Sequence, residues 1–298
     1  MPQMQAATWP PEPPADLPPA RTVSVPGRGE LFLRDTGGDG PVVMLLHGWI
    51  VSADVNWWGA YEELRTAGYR VLAIDHRGHG RGMRPLERFR LADCAADAAA
   101  ALRQLDAAPA IVVGYSMGGA VAQLVGRDHP DVVGGLILSA TAQHWKDPQT
   151  RRYWRLMGAL GLMLSTAPLK TWRWGFRRVG IPENEKTAWL LSELTRGSAR
   201  DIAEAGREME RFDSRPWLRP LNVPSAVVIT TRDEVVSPQK QRELAAALEA
   251  QVFEAAIRHN DIPFLRQQYN PALLEALAAI RAAAQPSETV EEGRTAAA

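Results

Sequence analysis

The sequence predicts an α/β protein: a doubly wound, mostly parallel sheet with helices on both faces and a helical block inserted late in the chain. Continuous apolar runs such as "PVVMLLHG", "YRVLAID" and "AIVVGY" have the pattern of strands buried on both sheet faces. Helix-period segments follow them, and strand–helix alternation is the mark of a parallel sheet. The alternation stops near residue 143 and resumes near 216, so the stretch between is read as an insertion.

The elements follow in chain order. "TVSV" and "ELFLRDT" read as short strands joined by a Pro-Gly turn. "PVVMLLHG" is the next strand. "WWGAYEELRTAGY" places Trp57, Tyr61 and Leu64 at helical spacing, with Gly68 as a stop. Strand "YRVLAID" and the alanine-rich helix "LADCAADAAAALRQLDAA" come next, then strand "AIVVGY", helix "MGGAVAQLVGRDHP" and strand "GGLILSATA". Residues 143–215 read as a helical lid carrying Trp145, Trp154, Trp172, Trp174 and Trp189. Strand "PSAVVITT", helix "PQKQRELAAALEA", strand "QVFEAAI" and a helix from Pro271 to about Ala284 complete the core. The expected domains are thus a core of 21–142 and 216–284, the lid of 143–215, and disordered tails at 1–20 and 285–298.

Composition narrows the function classes. The 34 basic and 34 acidic residues cancel, so nothing in the net charge points to nucleic acid or to an acidic membrane surface as partner. Cys94 is the only cysteine, so no internal disulfide and no cysteine-based zinc site is expected, and a reducing, cytoplasmic location fits. The proline-rich N-terminus does not read as a signal peptide, and no run of 18 apolar residues predicts a membrane span.

Three constellations carry chemistry. In "GYSMGG" Ser116 sits between a strand and a helix with glycines at minus two and plus two, the pattern of a nucleophile elbow. The turn is too tight for side chains at Gly114 and Gly118, and the following helix aims its N-terminal dipole at developing negative charge. An oxyanion needs two preorganised N–H donors. Met117 supplies one, and Trp49, in the "HGW" after an early strand, is the candidate for the other. His47 reads as a loop-shaping residue bonded to local backbone. A serine hydroxyl also needs an imidazole base oriented by a carboxylate. His259, in "RHND" after a strand at the same sheet edge, is preferred over His144, which opens the lid, and over His129 at a helix end. Asp233, just past the strand "AVVITT", is preferred over its neighbour Glu234.

With "HGW", "DHRGHGRG", "GYSMGG", "TTRDEVVSP" and "RHND" in this order, residues 21 to 284 resemble the α/β-hydrolase superfamily, within it the lidded bacterial serine esterases and lipases. The resemblance implies an eight-stranded sheet with the lid after the sixth strand. It implies Ser116 as nucleophile, Asp233 as acid, His259 as base, and Trp49 and Met117 as oxyanion donors. It implies a cofactor-free, metal-free hydrolase acting on a small-molecule carboxylic ester. Lactones, thioesters and C–C bonds are open to the same machinery. "DHRGHGRG" then becomes a structural loop, with Gly78, Gly80 and Gly82 as turns and Arg77 as an anchor, rather than a metal pair of His76 and His79. Aspartate at the elbow marks dehalogenases and epoxide hydrolases, so Ser116 argues against both. Cofactor-free perhydrolases often read His-Gly-Trp-Pro, where this chain has Ile50, and the family glycine before the acid is replaced by threonine. A hydrolase-fold protein that binds a ligand without turnover is a further alternative. For the lid, Trp49, Tyr115 and Trp145 are the expected substrate contacts. The arginines at 151, 152, 155, 173, 177 and 178 are expected to form a solvated face, with a basic rim for fatty carboxylates or an anionic membrane surface as the alternative, and without stable membrane insertion.

Overall fold

The computed structural model describes residues 11–147, 154–178 and 180–284. The core is built from strands β1 (Ala20–Val25), β2 (Gly29–Asp35), β3 (Val42–Leu46), β4 (Arg70–Ile74), β5 (Ala110–Tyr115), β6 (Val133–Ser139), β7 (Ser225–Thr230) and β8 (Gln251–Ala255). They form one eight-stranded sheet in the order β1-β2-β4-β3-β5-β6-β7-β8. β1 and β2 pair antiparallel, as does β2 with β4, and every later pair is parallel. Side chains alternate between two apolar layers. Met44, Leu46, Val112 and Leu138 face helices α3 (Leu91–Gln104), α4 (Met117–Asp128) and α9 (Pro238–Leu248). Val43, Leu45, Val113 and Val228 face α1 (Ala53–Trp57), α2 (Tyr61–Thr66) and α10 (Arg266–Ala284). Burial on both sides is why these strands read as unbroken apolar runs.

Between β6 and β7 the chain leaves the sheet and forms a cap of α5 (Met157–Thr166), α6 (Pro168–Arg178), α7 (Glu185–Leu194) and α8 (Ala199–Arg211). Two helix caps show why these elements start where they do. Asn184 and Thr187 close a reciprocal capping box on α7, and the Ser198 hydroxyl accepts the Asp201 N–H at the start of α8.

Three expectations are corrected. The segment spanning Trp57, Tyr61 and Leu64 is two short helices rather than one, because the Asn270 amide takes the Gly59 carbonyl at 2.8 Å and a Cβ at Gly59 would press on Arg266. Helix α10 begins at Arg266, five residues before the expected start, with Pro271 inside it. Buried Tyr269 and Asn270 hold that first turn by packing, which offsets the hydrogen bond a proline cannot make. The N-terminal tail expected over 1–20 is packed against the core at its end. Leu17 lies against the apolar layers, Arg34 donates to the Pro18 carbonyl at 2.9 Å, and β1 already starts at Ala20. Residues 1–10 and 285–298, the rest of the expected tails, lie outside the described residues.

Candidate active site

The sheet delivers Ser116 at the end of β5, on the residue just before α4. Its φ of +53° and ψ of −116° are costly for a residue with a Cβ. Close approach of the surrounding backbone enforces that conformation. A Cβ at Gly118 would overlap the Leu46 carbonyl, and one at Gly114 would overlap the Gly118 carbonyl. The Ser116 N–H donates to the Ser139 carbonyl at 2.9 Å, and the Thr141 hydroxyl donates to the Ser116 carbonyl at 2.9 Å. The serine backbone is therefore fixed on both its N–H and its carbonyl, and only its hydroxyl is uncommitted to backbone.

His259 and Asp233 converge on it. His259 Nε2 lies 2.9 Å from Ser116 Oγ, and Nδ1 donates to Asp233 Oδ2 at 2.8 Å. Since the carboxylate only accepts, the second bond puts the proton on Nδ1 and leaves Nε2 free to take the serine proton. Asp233 is buried, and its carboxylate is saturated. Oδ1 accepts the N–H groups of Val235 and Val236 at 2.8 Å each, and Oδ2 also accepts the Thr230 hydroxyl at 2.8 Å. Behind Thr230, the Gln241 amide on α9 donates to its Oγ1 at 2.8 Å and to the Val236 carbonyl at 2.8 Å. Glu234, the alternative acid, is exposed. His144 stands at the cap entrance in a bridge with Asp213, and His129 caps α4 at its far end.

The loop after β3 lies against the elbow. A Cβ at Gly48 would come within 3.5 Å of the Ser116 Cβ, and the Gly48 N–H is held by Asn56 Oδ1 at 2.9 Å. Met117 is the first residue of α4, so its N–H has no partner within the helix and stands beside Ser116. His47 shapes the loop through backbone bonds: Nδ1 to the Gly48 carbonyl at 2.7 Å, and Nε2 accepting the His76 N–H at 2.9 Å. Burial holds its imidazole well below the ordinary value, so it is neutral. Ile50 takes φ of +66°, outside the range a proline ring allows. The departure from His-Gly-Trp-Pro is thus a difference of backbone path as well as of residue.

The three expected substrate contacts fall in different places. Trp49 is half-buried between the loop and the cap, its indole N–H donating to the Ile202 carbonyl of α8 at 2.8 Å. Trp145 is buried, and with Trp154, Lys146, Asp147, Glu210 and Arg211 it walls a cleft of about 350 Å³ at the cap's edge. The Trp154 ring stands 5.7 Å from that of Trp49, so one aromatic pair separates this cleft from the loop. Tyr115 is a correction. Its ring is buried edge-on against Trp57 and Tyr269, and its hydroxyl donates to the His259 carbonyl at 2.6 Å. It holds the His259 loop to β5, and both its ring and its hydroxyl are engaged within the protein.

The "DHRGHGRG" loop anchors the cap. Gly78 and Gly80 take positive φ, and Arg77 pairs in a fork with buried Asp97 at 2.7–2.9 Å. Arg81 reaches up to Glu193 of α7 through two bonds of 2.8 Å, and the Ser198 N–H at the start of α8 donates to the Gly78 carbonyl at 2.8 Å. Burial pushes Asp75 up to about 7, against the pull of the Ala53 and Arg81 N–H groups that it accepts. Burial lowers His76 to about 3 and His79 to about 4.

Known proteins share this architecture. A Pimeloyl-[acyl-carrier protein] methyl ester esterase of Chromobacterium violaceum is 31% identical over 255 residues, 82% of this chain and 96% of that protein. A non-heme chloroperoxidase of Streptomyces lividans is 39% identical over 119 residues, and the matched part spans 43% of that relative's length. The crystal structure of a bromoperoxidase from Bacillus anthracis superposes with a TM-score of 0.75 at 19% identity, covering 87% of this chain and all of that one. The sequence profile of the α/β hydrolase fold matches residues 41–261, from the start of β3 to just past His259, and the chain belongs to that family.

Proposed function

We propose that this chain is a serine hydrolase that cleaves carboxylic esters of apolar acyl or aromatic substrates through an acyl-enzyme. The observation that supports this most is the continuous hydrogen-bond chain Asp233–His259–Ser116, with bonds of 2.8 and 2.9 Å, ending at a serine whose backbone is held strained. In this reading His259 Nε2 takes the Ser116 proton as Oγ attacks the ester carbonyl carbon. The Trp49 and Met117 N–H groups stabilise the oxyanion, and Asp233 stabilises the imidazolium. His259 then gives the proton to the departing alcohol. Water, losing a proton to His259, attacks the acyl carbon, and return of that proton to Ser116 Oγ releases the acid. Trp49, and Trp154 behind it, would wall the acyl side, and Trp145 its outer end.

Lactone or thioester cleavage needs the same groups. Perhydrolysis, suggested by the haloperoxidase names among relatives, would need peroxide in place of the water that attacks the acyl-enzyme, and Ile50 in a conformation closed to proline speaks against a shared loop geometry. The test is hydrolysis of p-nitrophenyl esters from acetate to palmitate by wild type, Ser116→Ala and His259→Ala. The expected result is turnover by wild type and a loss of roughly 10³–10⁶-fold in each variant. An inactive wild type, or a fully active Ser116→Ala, overturns the reading and favours ligand binding without turnover. Halide oxidation that depends on Ser116, with no ester turnover, favours the perhydrolase.

A further inference from the structure

The outer side of the cap carries apolar residues that the core does not use. On α5, Met157 and Leu164 turn inward, while Leu162 and Met163 point out at 67% and 42% exposure. Leu156 just before α5, and Leu169 and Trp174 on α6, are exposed as well. The two helices are neighbours, since the Thr171 hydroxyl on α6 donates to the Met163 carbonyl at 3.1 Å. Single exposed apolar residues are ordinary, but a helix whose outward face is mainly apolar needs a reason.

Charge supplies it. Between Asp147 and Glu183 the sequence has seven cations, Arg151, Arg152, Arg155, Lys170, Arg173, Arg177 and Arg178, and no carboxylate, in a chain whose net charge is zero. Lys170, Arg173 and Arg177 share the exposed side of α6 with Leu169 and Trp174. Glu183 answers Arg173 at 3.4 Å and Arg177 at 3.2 Å, one carboxylate against two guanidinium groups, and Arg178 lies 5.4 Å over the Trp174 ring. Exposed leucines, a half-exposed tryptophan and a surplus of cations on one helix pair make the composition of a surface that lies in a bilayer interface. A second copy fits poorly, because a twofold contact would set this cationic patch against itself.

We propose that the outer face of α5 and α6 adsorbs to an anionic lipid surface, with the leucines and Trp174 at the acyl boundary and the cations at the headgroups. No helix among the described residues is long and apolar enough to cross a membrane, so this contact is peripheral. The adsorbing face is one helix from the candidate site. A Cβ at Gly206 on α8 would meet both Met157 of α5 and the Trp49 ring. Resting on the ester-hydrolase reading, the cap would then receive esters that partition into lipid.

The test is co-sedimentation of the full chain with vesicles of phosphatidylcholine alone or mixed with phosphatidylglycerol, at low and high salt. The expected result is binding to the mixed vesicles that falls with salt. The Lys170→Gln/Arg173→Gln/Arg177→Gln variant should bind roughly 10²-fold more weakly, at about fivefold per cation. Leu162→Ser/Met163→Ser should lose roughly tenfold or more. Both variants keep the wild-type circular dichroism and p-nitrophenyl acetate turnover. Wild type that stays in the supernatant overturns the proposal. So does binding that neither salt nor these variants change, or self-association that Leu162→Ser/Met163→Ser abolishes while vesicles capture nothing. Because sedimentation needs no turnover, failure here is separate from failure of the ester-hydrolase reading.

Discussion

Replacing Thr230 by valine removes one oxygen from the carboxylate's support and leaves shape nearly unchanged. Thr230 Oγ1 stands between the Gln241 amide and Asp233 Oδ2, at 2.8 Å from each, and both Thr230 and Gln241 are fully buried. A hydrogen bond to a charged group contributes about 1.5–3 kcal/mol. The Gln241 amide keeps the Val236 carbonyl and so does not become a full orphan. The expected stability loss is therefore about 2–4 kcal/mol. Catalysis should fall much less than on loss of the acid itself. Oδ1 retains the Val235 and Val236 N–H groups and Oδ2 retains His259, so the carboxylate still sets the imidazole tautomer. A wrong tautomer costs about 10⁴ in kcat, whereas a looser carboxylate should cost roughly tenfold. KM should not move, because Thr230 touches no part of the cleft. The assay is kcat and KM on p-nitrophenyl acetate with urea unfolding of the same preparation, beside Asp233→Asn. Equal losses in Thr230→Val and Asp233→Asn would refute the reasoning, as would a change in KM alone or no change at all.

Three further outcomes follow from the same geometry. Tyr115→Phe removes the bond to the His259 carbonyl, worth about 1 kcal/mol, and should lower kcat severalfold with KM intact; a rise in KM alone would restore it as a substrate contact. Glu193→Leu leaves Arg81 with Asp54 alone, at 3.3 Å, and should cost about 1–2 kcal/mol in urea unfolding, with faster amide exchange in α7 and α8; unchanged exchange there would deny the anchoring role. Stability should fall on acidification from about pH 6.5 toward pH 4. His47, His76 and His79 are held neutral in the fold and gain protons once unfolded, while Asp75, raised to about 7, works in the opposite direction over the same range. The net proton uptake on unfolding amounts to roughly 2–3 kcal/mol per pH unit in unfolding free energy, and Asp75→Asn should steepen it; a flat profile to pH 4.5 would show that these imidazoles are not buried neutral.

The parts of this molecule that could be read from its sequence are those whose physics is local. Strands buried on both faces write themselves as apolar runs, and Gly114 and Gly118 advertise the tight turn that bends Ser116 outward. Chain order and strand ends favour Asp233 and His259, the two side chains that the fold links to Ser116 by hydrogen bonds. What stayed hidden depends on contacts distant in sequence. Tyr115 reads as a pocket residue because it adjoins the nucleophile, yet the strand alternation that lifts Ser116 to the sheet edge turns its neighbour down into the layer with Tyr269. Gln241 carries no signal, since nothing in "PQKQRELAAA" distinguishes an amide that props a carboxylate from one that faces water. The break between α1 and α2 comes from Asn270, more than two hundred residues away.

The threonine that stands in place of the glycine expected before the acid joins a local departure to such a distant contact. A glycine at that place would leave Asp233 Oδ2 with His259 alone, and the Gln241 amide with the Val236 carbonyl alone. The chain has instead paired a hydroxyl with an amide on the next helix, so that the departure from the familiar pattern strengthens the hold on the acid. The same logic runs through the cap. Arg81, in the loop after β4, is tied to Glu193, and the Gly78 carbonyl in that loop is taken by the Ser198 N–H, while Trp49 of the loop after β3 is tied to Ile202. Each tie joins a loop at the C-terminal sheet edge to a cap helix or its first turn. We expect a cap held at both loops to act as a fixed wall for the candidate site. Substrate range should then be set by the rings of Trp49 and Trp154 where cap and loop meet, rather than by how far the cap can swing.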